Sequence, residues 1–310
     1  MLRTRAAYIS DWQQEYAQIS TGNFHGRIDE LRSGTFQVFR EYSHQETYQT
    51  CQPWQHSVWF GIPAPGSGER LRFNGCAVEQ ASILVSPGNT DFTLRTPLGF
   101  CIYGVVLNVD DLATRCEGLL NTPLPTLWLQ ADAITLDAGS HQRICHAIEQ
   151  LLAFTRQHPD TRCHRQHLEA LADALLLGLY QGQTREAAAW PTRHIQQIEQ
   201  IRQWAQTPGD NELDVESLCR ALHVTRRTLQ NHFQAITGMS PANFVRVLRL
   251  NAVRQALRDE QRLQQTIQQL AAEWGFFNLS HFCYDYKRLF GETPSQTRHL
   301  DLPTHPARRA

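Results

Sequence analysis

The sequence predicts an α+β chain in two parts: an antiparallel β domain followed by helices of its own, then an all-α domain that uses one helix-turn-helix unit twice. Three observations predict it. Between residues 24 and 109, short apolar runs alternate with polar positions and are separated by turn residues. From residue 110 the apolar spacing becomes helical. Across residues 195–310 a single motif recurs at an offset of 53 positions. The expected layout is a first domain over 1–185 (β-rich 24–109, helical 110–182), a linker at 183–194 and an all-α domain at 195–310.

Composition sets the limits. With 310 residues, 41% hydrophobic and 19% charged, the chain has enough apolar content for packed cores, which excludes disordered, collagen-like and coiled-coil classes. No window approaches the roughly 20 unbroken apolar residues of a membrane span, and the start lacks an apolar signal core, so a cytoplasmic protein without a membrane partner is expected. The eight cysteines include no C-x-x-C pair, which removes the zinc ribbon, the redox dithiol and the secreted disulfide framework. His141/Cys145 and Cys163/His167 have the i, i+4 spacing that can hold a metal, but surface histidines and buried thiols account for them, and no metal site is expected. Charge is uneven. Residues 1–190 carry fourteen arginines against nineteen acids, whereas 191–310 carry fifteen basic residues against eleven acids. A basic back part suits a polyanionic partner.

The β elements come first. Phe36-Gln-Val-Phe-Arg-Glu-Tyr42 and Ser57-Val-Trp-Phe-Gly-Ile62 read as strands, and Pro63–Gly68, Ser86–Asn89 and Thr96–Gly99 as the turns between strands of a sandwich or small barrel. In the helical stretch, Leu168, Leu171, Ala172, Leu175, Leu176 and Leu179 form an apolar stripe that packs on the β domain or on a second subunit. Polar, alanine-rich residues 181–191 mark the linker.

The repeat is the sharpest signal. Thr225, Leu229, Phe233, Gly238 and Pro241 recur as Asn278, Phe282, Tyr286, Gly291 and Pro294. Thr225 and Asn278 are N-cap types, the glycines suit a left-handed helix end, and Ser240-Pro241 and Thr293-Pro294 place a cap and then proline at the start of the next helix. An amphipathic segment precedes each unit, Val215–Leu222 and Ile267–Trp274, which completes helix, turn, helix twice over. In the first unit Leu229 and Phe233 face inward, leaving Arg226, Arg227, Gln230, Asn231 and Gln234 outward. Arginine can hold guanine O6 and N7 together, and Gln or Asn can do the same to adenine. In the second unit the outward set is Leu279, Cys283, Tyr284 and Lys287, with Ser280 and His281 at its edges. Leu279 suits a thymine methyl, Tyr284 and Lys287 a phosphate. A helix over 241–257 joins the units.

Leu218, Thr228-Leu229, Phe233, Gly238, Pro241 and Arg249, then Ile267, Ala271, Gly275-Phe276, Ser280, Phe282, Phe290-Gly291 and Thr293-Pro294, closely resemble the DNA-binding domain of AraC/XylS-type transcription regulators. The resemblance covers about 195–300. It implies seven helices with two helix-turn-helix motifs, and base-reading places at Arg227, Gln230 and Asn231 and at Leu279, Ser280, Cys283 and Tyr284. It further implies a cupin-like front domain that senses a small molecule or forms a homodimer, and double-stranded DNA and RNA polymerase as partners. Where relatives often carry polar groups, the second reading helix has Leu279 and Cys283.

Asp11-Trp12, Gly22-Asn-Phe-His-Gly26, Val38–Glu41, Trp59–Pro63 and Gly88-x-x-Asp91-Phe92 resemble regulators of ethanolamine-utilisation operons. That resemblance implies an activator responding to ethanolamine together with adenosylcobalamin, although the D-x-H-x-x-G cobalamin pattern is absent. A cationic amine would be held by an aromatic face and a carboxylate in a dry pocket, and Trp59 with Glu41 or Asp91 is the expected trio. The alternative is a regulator of another catabolic operon with a different small effector, or one that binds DNA constitutively. No catalytic motif occurs, so an enzyme is not expected.

Overall fold

The computed structural model describes residues 9–67, 71–157, 165–185, 192–209 and 213–300. The chain divides into two compact units, residues 1–16 with 25–190, and residues 17–24 with 191–310.

The first unit opens with β1 (Gln13–Gln18, of which residues 17 and 18 count with the second unit), β2 (Gly26–Ser33), β3 (Phe36–Ser43), β4 (Thr47–Gln52), β5 (Ser57–Pro63), β6 (Arg72–Phe73), β7 (Cys76–Ala77), β8 (Ser82–Pro87), β9 (Phe92–Thr96) and β10 (Phe100–Asn108). It continues through α1 (Val109–Leu120), α2 (Thr126–Gln130), β11 (Ala133–Thr135), α3 (Ala138–Gln157), α4 (Arg165–Gln181) and β12 (Gln183–Arg185). One sheet runs β1-β4-β9-β6-β7 and the other β12-β11-β8-β5-β10-β3-β2. Alternation along the strands of the larger sheet divides its side chains between two cores. Val38, Phe60, Ile62, Tyr103, Val105 and Leu107 pack with Leu112, Ile144, Leu171, Leu175 and Leu179 of the helices, while Phe39, Trp59, Phe100, Ile102 and Val106 pack with Cys51, Phe73, Phe92 and Leu94 of the smaller sheet. The leucine stripe of α4 is therefore buried on its own β domain.

The second unit contains α5 (Thr192–Gln206), α6 (Val215–Leu222), α7 (Arg226–Ile236), α8 (Pro241–Arg258), α9 (Ile267–Glu273), α10 (Leu279–Phe290) and α11 (Pro294–Leu300). The expected caps are all in use. Thr225, Ser240 and Asn278 accept from the backbone N–H three residues on. Gly238 and Gly291 adopt φ of 67° and 71°, and Pro241 opens α8. Val247, Leu250, Val253 and Leu257 of α8 form a core with Leu270, Ala271, Phe282, Tyr286 and Phe290, so the joining helix is the spine against which the second motif folds.

The structure departs from the expected boundaries in three places. A strand, β1, precedes residue 24: its polar QQEYAQ sequence lacks apolar alternation because Gln14 and Gln18 are themselves buried. The stretch 110–182 includes a short strand, β11, which pairs with β8. The linker expected at 183–194 is shorter, because 183–185 pair with β11 and α5 begins at Thr192; the rest of it lies outside the described residues.

Residues 17–24 belong to the second unit. The Gln18 N–H donates to Asn251 Oδ1 and its carbonyl accepts from Asn251 Nδ2, both at 3.0 Å, while its Nε2 donates to the Leu289 carbonyl at 2.8 Å. Ile19 packs against the α8–α10 core. Among the described residues no helix is long and apolar enough to cross a membrane.

Candidate functional site

In the first helix-turn-helix, α6 ends at His223, whose left-handed backbone (φ 52°) turns the chain sharply into α7. Leu218 and Leu222 of α6 and Leu229, Phe233 and Ile236 of α7 are buried, and Phe233 meets Phe244 of α8 edge-on at 5.4 Å. This packing fixes which side of α7 faces water. Arg226, Arg227, Gln230 and Asn231 are all exposed. Arg226 and Arg227 occupy the first turn, and no acid stands there. A cation at a helix N-terminus opposes the partial positive charge of the free amide ends, at a cost of a few tenths of a kcal/mol. A polyanion drawn against that end offsets the cost.

In the second motif, α9 is fixed by a reciprocal cap between Thr266 and Gln269. On α10, Phe282 and Tyr286 are buried, and the Tyr286 hydroxyl meets Thr297 Oγ1 at 2.7 Å. Burial pushes the Tyr286 phenol well up. Asp285 is buried and ion-paired with Arg246 of α8. Leu279, Ser280, Tyr284 and Lys287 are exposed as expected. Cys283 is not fully outward, because it leans half-buried on the α8–α10 core. The 18 residues of α8 span about 27 Å, against the ~34 Å between successive major grooves on one face of DNA.

The β domain holds a second candidate site between its sheets. Gly61 of β5 and Gly104 of β10 are register partners, and a Cβ on either would overlap a ring, Trp59 at the first and Phe39 at the second. The two glycines thus form a floor on which an aromatic plug lies. Trp59 stacks on Phe92 at 4.4 Å, and Trp12 meets the edges of Phe39, Trp59 and Phe92.

Polar groups close the interior on both sides of the plug. At one end Gln37, fully buried, accepts from the indole N–H of Trp12 at 3.0 Å and of Trp54 at 3.2 Å, and donates to Glu30 at 2.6 Å. At the other end Glu41 accepts from Gln49 Nε2 at 2.8 Å. Gln49 also donates to Thr47 at 3.0 Å, and Thr47 and Thr96 share a hydrogen bond at 2.7 Å. The Tyr16 hydroxyl lies near Glu41 without completing a hydrogen bond to it, and Gln14 Oε1 is likewise buried and unpartnered. Burial raises the Glu41 carboxyl from its usual 4.5 to about 7, partly countered by the hydrogen bond from Gln49 and by the nearby Tyr16 hydroxyl. The Cys51 thiol and the Tyr16 phenol are pushed up by the same burial.

The trio expected from the sequence is not assembled. Glu41 lies opposite Ile102 and Trp59 opposite Val106, on strands that flank β10 on its two sides. Four residues along the strand put them about 13 Å apart lengthwise, and two strand spacings add about 10 Å across. Both faces of the Trp59 ring are covered, by Phe92 and by the Gly61 floor, so no cation can stack there. Asp91 is exposed, and its carboxylate accepts from Gln52 at 2.9 Å. Glu41 alone of the three is in a dry polar site. Its neighbours Gln14, Tyr16 and Gln49 escaped sequence reading because polar residues on β1 and β4 resemble a solvated edge strand. The signal was there in the period of two, at 14 and 16 and again at 47 and 49. A corrin does not fit this interior, which touching aromatic rings already fill. Among the described residues no group of His, Cys, Asp and Glu is arranged to hold a metal ion.

Residues 218–299 match a family described as a helix-turn-helix domain. The XylDLEGF operon transcriptional activator of Pseudomonas putida is 29% identical over 100 residues, 32% of this chain and 31% of that protein. The HTH-type transcriptional activator RhaS of Pectobacterium carotovorum is 28% identical over 104 residues, 34% of this chain and 36% of that protein. The chain thus spans about a third of the length of these relatives. ToxT from Vibrio cholerae is a solved structure that covers 96% of this chain and 100% of its own, at 13% identity and a TM-score of 0.33. The matched C-terminal segment is thus a helix-turn-helix domain.

Proposed function

We propose that the chain is a sequence-specific DNA-binding transcription regulator that acts as an activator and whose β domain binds a small metabolite. The observation that carries the DNA-binding part is the face of α7: two arginines, a glutamine and an asparagine, all exposed, stand on the outer side of a helix held by a buried apolar face. Arg227, Gln230 and Asn231 read bases, and Arg226 with Lys287 holds phosphates. The names of the relatives, operon activators in two bacteria, support activation through RNA polymerase, and a homodimer on paired sites is the accompanying proposal.

For the effector, the reading rests on Glu41. A carboxyl buried among Gln14, Tyr16 and Gln49 is costly to ionise, and a small cationic amine brought against it would relieve that cost. Ethanolamine, the size of one short side chain, is the amine we propose. The crowded interior argues against adenosylcobalamin at the same place.

The test is selection of binding sites from random double-stranded DNA by the full chain, followed by affinity measurements with Arg227→Ala and Gln230→Ala. Enrichment of a defined sequence, with base preference relaxed at one position by each variant, is the expected result. Uniform loss on selected and random DNA alike overturns direct reading. Calorimetric titration with ethanolamine, compared with Glu41→Ala, tests the effector separately: equal heat from both proteins removes Glu41 from the site.

A further inference from the structure

We propose that the second helix-turn-helix chooses its DNA segment by apolar contact, with Phe277 and Leu279 seating thymine methyl groups in the major groove. This rests on the DNA-reading function proposed above and adds to it how the second motif discriminates.

The start of α10 is unusual for a surface. Phe277 is 72% exposed, Tyr284 67% and Leu279 39%, all within about two turns of helix. Isolated apolar side chains on a surface are ordinary, but a cluster of large ones marks a contact. The duplication says which contact. At the offset of 53 positions, Leu279 stands where α7 carries Arg226, and Ser280, Cys283 and Tyr284 stand where it carries Arg227, Gln230 and Asn231. Leu279 and Tyr284 thus lie on the face that reads bases in the sister helix, with carbon in place of an arginine at Leu279, and Phe277, at the place of Val224, stands beside them.

Charge commits the face to a polyanion. Lys287 and Arg288 stand exposed in the last turn of α10. The helix has one acid, Asp285, which is buried and paired with Arg246 of α8 and with Arg288. An apolar patch with a basic rim and no exposed carboxylate fits a groove edged by phosphates. In that groove only thymine presents a methyl, beside O4. Burying one methyl against Leu279 or Phe277 is worth roughly fourfold in affinity.

The test uses the full chain and a DNA site enriched from a random pool. Arg227→Ala identifies the segment read by the first motif, since base choice relaxes there. In the other segment each thymine is replaced in turn by deoxyuridine, which removes the methyl and keeps every hydrogen-bonding group. The wild type is expected to lose roughly fourfold at one or two of these positions, whereas Leu279→Ala and Phe277→Ala, weaker on the thymine site, respond less or not at all to the replacement. Both side chains are exposed, so unchanged melting curves are expected to accompany the loss. If the variants keep the wild-type response to deoxyuridine, or select the same sequences as the wild type, the proposal is overturned. Unaltered DNA selection with lower transcription by purified RNA polymerase assigns the patch to a protein and overturns it equally. A pool with no enrichment overturns the regulator reading as well; enrichment with no methyl effect overturns this inference alone.

Discussion

Replacing Glu41 by glutamine should flatten the pH dependence of the β domain's stability. Burial raises the Glu41 carboxyl from 4.5 to about 7. Below pH 4.5 the group is protonated in both folded and unfolded chains, and it neither stabilises nor destabilises. Between pH 4.5 and 7 the unfolded chain releases its proton while the folded chain keeps it, so stability falls as pH rises; above 7 the penalty is complete. A displacement of this size corresponds to about 3 kcal/mol. Glu41→Gln keeps the shape and an acceptor for Gln49 Nε2, and it carries no charge. Chemical denaturation of the full chain at steps from pH 5 to pH 8, followed by the fluorescence of Trp12, Trp54 and Trp59, measures the difference between the two proteins. The variant should be near wild type at pH 5 and ahead by about 2–3 kcal/mol at pH 8, because all other titrations cancel. A difference that stays constant across this range refutes the reasoning, since it means that Glu41 ionises as freely in the fold as in the unfolded chain. Saturating ethanolamine at pH 8 should raise the stability of the wild type and leave Glu41→Gln unchanged.

Three further outcomes are expected. Arg227→Ala and Gln230→Ala should each cost about 1–3 kcal/mol on the selected site and little on random DNA, measured by fluorescence anisotropy. Lys287→Ala should weaken every site alike and lower the slope of log affinity against log salt by about one, checked by titration across salt concentrations. Gly104→Ala drives a methyl into the Phe39 ring and should cost about 1–3 kcal/mol, visible as a lower melting temperature of the β domain with DNA binding retained when cold.

The helical half was legible from the sequence because its signals are local. Thr225, Asn278, Ser240-Pro241, Gly238 and Gly291 are each a cap or a stop whose meaning lies within four residues, and the structure uses every one. The β half was legible as a class and obscure as a site. Strands such as β3 and β5 declare themselves by composition, yet which strands lie side by side is a long-range fact. Glu41 and Trp59 are grouped from the sequence because a cation calls for a carboxylate beside an aromatic face, and both side chains are buried. Their separation comes from the register of β3 and β5 on β10, which no window of sequence contains. Gln14 and Tyr16 were hidden for a different reason: a buried polar residue and an exposed one have the same letter.

The duplication also supplies an internal control on which features the fold requires. Both motifs need a capped helix, a buried aromatic pair or its equivalent, and a left-handed stop, and both have them. They differ where packing makes no demand. The first motif places Arg226 and Arg227 against the positive end of α7; the second does without them and leaves Phe277 and Leu279 in water. Each choice costs stability that the sister motif shows to be avoidable. Glu41 fits the same pattern, since Gln37, four residues away on the same face of β3, closes the opposite end of the interior between the sheets with a neutral amide that is fully hydrogen-bonded. Where a sequence repeatedly accepts a local cost that a neighbouring position avoids, the cost is offset in a complex rather than in the free chain. On the function proposed above, that complex is with DNA for α7 and α10 and with a small cation for Glu41.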